Sequence, residues 1–359
     1  MVRYLLGAGL ALALAAPVGA ASTVEWVGQV ALPATLRVGD SEVGGLSGLD
    51  YDPRRDLWYL ISDEHSATGA ARAYSARLGL NGDGYTLAID ALLPLTDCRS
   101  RRFVPLSMEG PVADAESVRV DPRGGLVWSS EGVYTRGIGP SVTFADPHGV
   151  CTGELPLPSM LQRDPSGRSG PRSNKAFEGL AFAEDGESLW LSVEDALLQD
   201  GPVSSLEQGG LARITQLDRR GHILKQFAYN LDPIQAPGVG GVADNGISEI
   251  LDDGEGLLVL ERSGAKNAQG HFDFRCRLYR VAFDDATDVA RIGDLRETTV
   301  RPLAKTLVFD FGQVPALRAY NFEGMAWGPR LADGRRLLVL VSDNGFESLD
   351  SRVVLLAVP

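Results

Sequence analysis

The chain has 359 residues, with 47 Asp or Glu against 34 Lys or Arg, for a formal net charge of −13. A surface so acidic repels nucleic acid and anionic lipid, which argues against both as partners and makes divalent cations plausible company. The 3 cysteines have no CxxC spacing, the 4 histidines are scattered, and "GGLSGLD" (Gly44 to Asp50) resembles a G-x-S-x-G elbow only loosely. Zinc centres and elbow-type hydrolases are therefore disfavoured.

The chain opens with "MVRYLLGAGLALALAAPVGA": a basic Arg3, an apolar run from Tyr4 to Ala16, and a small-residue ending at Val18-Gly19-Ala20. That layout predicts a secretory signal peptide over residues 1–20, too short and wrongly flanked for a lasting membrane anchor. No later stretch reaches membrane-spanning length, so residues 21–359 are expected as a single exported domain, periplasmic or secreted, with no stable membrane span.

One hairpin then recurs five times. The copies are "LSGLDYDPRRDLWYLISDE" (Leu46 to Glu64), "AESVRVDPRGGLVWSSEG" (Ala115 to Gly132), "FEGLAFAEDGESLWLSVED" (Phe177 to Asp195), "ISEILDDGEGLLVLERSG" (Ile247 to Gly264) and "FEGMAWGPRLADGRRLLVLVSDNG" (Phe322 to Gly345). Each is a short apolar strand, a turn rich in Asp, Pro or Gly, and a second, more apolar strand. Further strand pairs lie between the copies, such as "GGLARITQLD" with "GHILKQFAYNL", and "CRLYRVAFD" with a fainter strand near Lys305 to Phe311.

Four antiparallel strands per repeat, in a meander, predict an all-β fold: a β-propeller of five four-stranded blades. The last repeat has three strands of its own, and "STVEWVGQVAL" (Ser22 to Leu32) belongs to no blade, so the N-terminal strand is expected to join the last blade and close the ring. The alternative is six blades, the sixth hidden in Asp285 to Tyr320. The five-blade layout brings Cys98 and Cys151 to adjacent rims and suggests that they pair, leaving Cys276 over.

The start of a blade's first strand and the end of its second must meet at one mouth of the channel. The first positions are Ser47, Glu116, Glu178, Ser248 (with Glu249 next to it) and Glu323; the end positions are Asp63, Glu131, Glu194, Glu261 and Asp343. The repeat thus predicts a ring of carboxylates, which raise one another's pKa or recruit cations. Hard oxygen ligands from Glu178, Glu323, Asn174, Asn321 and Asn344 suit Ca²⁺ or a similar divalent ion. Arg172, Lys175, Arg262 and Arg318 are candidate binders of an anionic substrate, with the loop "QRDPSGRSGPRSNK" leading into the third hairpin.

The bland alternative is that most of these acids brace loops by accepting backbone hydrogen bonds. Gly48, Gly179 and Gly324 read as packing residues that let neighbouring blades approach. Trp58, Trp128, Trp190, Phe182 and Trp327 read as inter-blade core. His65, beside Asp63-Glu64, is a candidate general base, with an ordinary surface histidine the simpler alternative.

"NKAFEGLAF…LWLSVED", "YNFEGMAW…LLVLVSDNG" and "GLSGLDYDPRRDLWYLISDE" resemble the phytase-like, esterase-like family of exported bacterial β-propeller proteins. The resemblance covers nearly the whole chain after the signal segment. It implies phosphoester or ester hydrolysis carried by recurring acids, which on matching positions are Glu178, Glu323, Glu116, Asp63 and Asp343. Blade 1 departs from the pattern with Ser47, and blade 4 with "ISEIL" in place of "FEGLA". The expectation is an exported hydrolase acting on a small anionic or ester substrate with Ca²⁺. A lactonase, a carboxyl-ester hydrolase and a non-catalytic binding propeller are the alternatives.

Overall fold

The computed structural model describes residues 24–64, 69–81, 84–318 and 320–359. The expected signal segment and His65 lie outside the described residues. The chain builds an all-β propeller of five blades, each a four-stranded antiparallel sheet. β1 (Glu25–Leu32) is followed by a small hairpin, β2 (Arg37–Val38) and β3 (Ser41–Glu42). Blade 1 is β4 (Leu46–Asp52), β5 (Leu57–Ser62), β6 (Arg72–Asn81) and β7 (Gly84–Pro94). Blade 2 is β8 (Ala115–Val120), β9 (Leu126–Ser130), β10 (Ser141–Ala145) and β11 (Cys151–Glu154). Blade 3 is β12 (Phe177–Phe182), β13 (Leu189–Val193), β14 (Leu211–Leu217) and β15 (Ile223–Asn230). Blade 4 is β16 (Ala243–Asp252), β17 (Leu257–Lys266), β18 (Phe272–Ala282) and β19 (Ala304–Asp310). Blade 5 is β20 (Asn321–Trp327), β21 (Arg336–Asp343) and β22 (Ser351–Val358), and β1 pairs antiparallel with β22 as its outer strand.

No sixth blade forms from residues 285–320. Its later part supplies β19, while Val289 and Leu303 donate backbone N–H groups to Gln226 and Ala228, so the earlier part runs along the outer edge of β15. Val289 and Leu295 bury against Ala228 there, and the segment covers an edge that would otherwise be open.

The five hairpin tips share one device. Asp52, Asp121, Asp185, Asp252 and Asp333 each accept a hydrogen bond from the backbone N–H two residues on, at 2.8–3.0 Å. This Asx turn explains the recurring Asp in the turn signal. At the other end of each hairpin the inner strand carries a β-bulge, and the bulged residues include Ser47, Glu116, Glu178, Ser248 and Glu323. A bulge re-aims a side chain and ends regular pairing, which is how the repeat turns these positions toward the channel mouth.

The glycine that follows the bulged residue in three blades lets inner strands meet. A Cβ at Gly48 would lie 2.7 Å from the Glu116 carbonyl, one at Gly179 2.7 Å from Ile250 N, and one at Gly324 2.8 Å from Gly48 Cα. Trp58, Trp128 and Trp190 are buried in the core between blades, as expected. Below the bulges the channel is plugged. Arg119 of blade 2 donates to the carbonyls of Leu49 (2.7 Å), Leu180 and Ile250 (3.1 Å) on three other blades, and pairs with Glu249 at 2.7 Å. The mouth is therefore the top of a cup rather than an open tunnel. Cys98 and Cys151 form a disulfide with their Cα atoms 4.9 Å apart, and Cys276 is free and buried.

Candidate functional site

The two serines at bulge positions brace the ring. Ser47 Oγ donates to the carbonyls of Ala115 (3.2 Å) and Glu116 (2.7 Å) in blade 2, and Ser248 Oγ to that of Phe322 (3.3 Å) in blade 5. The bulged Glu116, Glu178 and Glu323 instead face other acids. Glu116, Glu131 and Glu178 each place a carboxylate oxygen within 4.8 Å of the others, and Asp63, Asp114 and Glu116 do the same. Glu116 belongs to both groups, so blades 1, 2 and 3 contribute to one continuous carboxylate cluster.

Its continuation through blades 3, 4 and 5 carries the counter-charges. Lys175 Nζ lies 3.2 Å from Glu194 and 3.9 Å from Asp244. The Arg262 guanidinium reaches Glu194 at 3.5 Å, Asp244 at 3.7 Å and Glu323 at 3.6 Å. Asn321 Nδ2 donates to Glu323 Oε1 at 2.7 Å. Two cations among so many acids leave a strong negative excess in a largely desolvated place.

The pKa values express it. Burial, then the nearby Asp63 and Glu178, hold Glu116 well above the usual carboxylate range. Burial, then Glu131 and Glu194, do the same to Glu178, with Arg262 opposing. Glu131 is pushed up to about 8 by burial and Glu194, and Glu323 to about 8 by burial and Asp343, again against Arg262. Glu194 is raised by burial despite Lys175 and Arg262. Such a cluster is satisfied either by shared protons or by a bound cation.

The two acidic triads could hold a metal ion. Two oxygens on opposite sides of Ca²⁺ stand about 4.6–5.2 Å apart, so oxygens all within 4.8 Å of one another can contact one ion. The expected ligand list is redistributed: Glu178 is in the cluster, but its partners are Glu116 and Glu131. Asn344 is committed to the backbone, accepting from Gly45 N at 3.1 Å and Phe346 N at 3.2 Å and donating to Leu349 O at 3.1 Å. Asn174 is an exposed turn residue with φ 54°, and Asn321 serves Glu323.

The other candidates separate in the same way. Asp63 joins Asp114 and Glu116, whereas Asp343 lies beside Glu323 and caps a turn through Gly345 N at 2.7 Å. Lys175 and Arg262 face the acids. Arg172 instead donates to Ala196 O (3.0 Å) and Gly201 O (2.7 Å), tying its loop to the one after β13, and Arg318 is exposed in a groove with Arg275 and Arg277. Two grooves of about 710 and 720 Å³ flank Phe103 and contain none of the clustered acids.

Two clustered acids lay outside the expected set. Asp114 stands two residues before Glu116, as Asn321 stands two before Glu323. Asp244 rises from the early part of β16. The Asp114 signal was present in "ADAES", since a polar residue at the head of an apolar strand needs a reason.

The model of the phytase-like family, described as esterase-like activity of phytase, matches residues 41–346. No curated protein sequence matches the chain. Similar solved structures include a thermostable family-43 glycoside hydrolase, at 10% identity over 87% of this chain and 89% of that one with a TM-score of 0.46. A glucose dehydrogenase aligns at 11% identity over 94% and 99% with a TM-score of 0.41. The soluble aldose sugar dehydrogenase of Escherichia coli aligns at 11% over 93% and 99%, also at 0.41. Likenesses this distant carry no argument about chemistry. The family match spans most of the chain and all five hairpins, and the chain belongs to the phytase-like family.

Proposed function

We infer that the protein is an exported hydrolase that cleaves a phosphoester at the acidic mouth with the help of a divalent cation, Ca²⁺ being the best fit. The observation that carries this reading is the pair of carboxylate triads sharing Glu116 beside two cations, Lys175 and Arg262. Glu116, Glu131 and Glu178 would hold the ion, with Asp63 and Asp114 as further oxygen donors. Bound there, the ion would polarise a phosphoryl oxygen and lower the pKa of an attacking water.

The remaining roles belong to the chain's own side chains. Lys175 and Arg262 would bind the anionic oxygens of the substrate, Arg262 being steadied by Glu194, Asp244 and Glu323. Glu323, with its pKa near 8 and its Oε1 fixed by Asn321, would keep a proton near neutral pH and deliver it to the leaving oxygen. The Arg119–Glu249 plug closes the floor, so substrate would enter and leave by one mouth.

The N-terminal segment and the Cys98–Cys151 disulfide support a periplasmic or secreted location. No helix among the described residues is long and apolar enough to cross a membrane.

The test is turnover of p-nitrophenyl phosphate and bis(p-nitrophenyl) phosphate by the processed protein with Ca²⁺. Activity that falls by at least about 100-fold with EDTA or in Glu178→Gln supports the reading. Absence of turnover across phosphomonoesters and diesters overturns it. The word "esterase-like" in the family's description favours carboxyl esters and lactones as the second substrate class, tried in the same assay.

A further inference from the structure

Blade 4 is built unlike its neighbours. In β12 the bulged Glu178 is the second residue, whereas in β16 the residues from Ala243 to Ile247 all precede the bulged Ser248. β17 likewise continues past Glu261 through Arg262 to Lys266. At about 3.3 Å per residue this hairpin rises roughly 16 Å beyond the level of the carboxylates. The start of β18 extends it sideways.

Cross-strand register fixes which side chains share a face of that extension. Arg262 pairs with Gly246 and Cys276, Gly264 with Asp244 and Phe274, and Lys266 with Phe272. Side chains alternate along a strand, so Arg262, then Asp244 with Phe274, then Phe272 form successive rungs on one face. The two phenylalanine rings stack with centroids 6.0 Å apart and planes 20° apart, and the Arg262 guanidinium lies 5.9 Å from the Phe274 centroid. A Cβ at Gly264 would meet both rings at 3.3 Å, so glycine gives the rings room to lie over the strand.

This rail of rings leads from solvent to the cation that faces the carboxylates. Phe272 is 42% exposed, and at the hairpin tip His271 Nδ1 lies 3.3 Å from Glu347 of the blade 5 loop. Blade 4 thus shows solvent two stacked rings, with Asp244 and Lys266 on the same face, beside a largely buried arginine. Its chemistry matches a ligand that is apolar and planar at one end and anionic at the other.

We propose that Phe272 and Phe274 form a platform for a planar apolar group of the substrate, whose anionic group is held by Arg262 and Lys175, so that the preferred substrates are aryl-bearing anionic esters. The proposal rests on the anion-holding role given to these two cations above, and it concerns binding rather than turnover. Non-hydrolysable ligands therefore test it. Phenylphosphonate and methylphosphonate carry the same anionic group and differ in the ring.

Calorimetric titration in Ca²⁺-containing buffer should show phenylphosphonate binding about three- to tenfold more tightly than methylphosphonate. Phe272→Ser/Phe274→Ser should erase that preference while methylphosphonate affinity stays within about twofold, and Gly264→Val, which displaces the rings, should reduce it. Far-ultraviolet circular dichroism and the melting temperature establish that each variant is folded. Equal affinity of the wild type for the two ligands, or a preference that survives the double substitution, overturns the platform. Failure of both ligands to bind overturns it together with the anion-holding role. Normal binding and preference without turnover strikes only the hydrolytic reading.

Discussion

Glu131 directly follows the second strand of blade 2 and Glu261 lies within the longer second strand of blade 4; they hold the same position of the repeat and live in opposite surroundings. Glu261 accepts from Tyr229 Oη at 2.6 Å, Asp232 N at 3.0 Å, Asn245 Nδ2 at 3.0 Å and Lys305 Nζ at 2.6 Å. Glu131 accepts from the backbone N–H of Ala176 and otherwise faces Glu116, Glu178, Glu194 and Asp114, with Lys175 as the opposing charge. A repeat makes backbone positions equivalent, but it leaves the donors around each position free to differ. In blade 4 the donors saturate the carboxylate, which becomes a brace. In blade 2 they are scarce, and the carboxylate is left wanting a proton or a cation.

Removing a brace should have the largest effect. Glu261→Ala takes the acceptor from Tyr229 Oη and Asp232 N and leaves Lys305 with Asp232 alone, and Glu249→Ala leaves the Arg119 guanidinium buried without its acid. Each should lose about 3–5 kcal/mol of stability, read from urea unfolding. A loss below about 1 kcal/mol would erase the distinction between the two kinds of acid. Glu116→Gln or Glu131→Gln should do the opposite in EDTA, leaving the melting temperature unchanged or higher because an amide replaces an acid that burial and like charges disfavour. The same variants should abolish stabilisation by Ca²⁺, which for the wild type reaches about 2.7 kcal/mol at a hundredfold excess over Kd.

The pH dependence sharpens the comparison further. Burial and like charges raise Glu131 and Glu323 to about 8 from an ordinary 4.5, and lift Glu116 and Glu178 in the same direction. A raised carboxylate binds its proton more tightly when folded, so its stabilising contribution is complete below pH 4.5 and is lost as pH rises through 8. Metal-free protein should therefore melt at progressively lower temperature from pH 5 to pH 8, and Ca²⁺ should flatten the slope. A metal-free slope of the opposite sign would contradict the crowding. The smallest change is expected at the exposed Arg123–Glu187 pair near the hairpin tips, where Arg123→Ala should cost under about 1 kcal/mol.

Much of this architecture is readable from residues alone. Five apolar hairpins with Asp-marked turns specify five blades, because alternation and turn chemistry are local. The orphan N-terminal strand and the three-stranded last repeat specify the closure in the same way. The site is less accessible because partner choice is not local. Nothing in "FEGLA" tells Glu178 that Glu131 of another blade is its neighbour, and nothing in "DNG" shows Asn344 bound to Gly45 N, 299 residues away in sequence. Arg318 and Arg262 both read as arginines at a mouth. Only the extra length of β16 and β17 brings Arg262 over the acids. Arg119, a charge in the apolar run "SVRV", was the sign of a plugged channel, and its meaning depends on carbonyls from three other blades.

If the carboxylates around Glu116 form a cation site while their counterparts in blade 4 are structural, binding of Ca²⁺ must depend on Glu116. Calorimetric titration of Ca²⁺ into EDTA-treated, desalted protein tests it most directly, with wild type and Glu116→Gln compared under identical conditions. Saturable binding by the wild type and its loss in a folded Glu116→Gln are expected. Absence of binding by the wild type, or binding that Glu116→Gln leaves intact, would contradict the cation site.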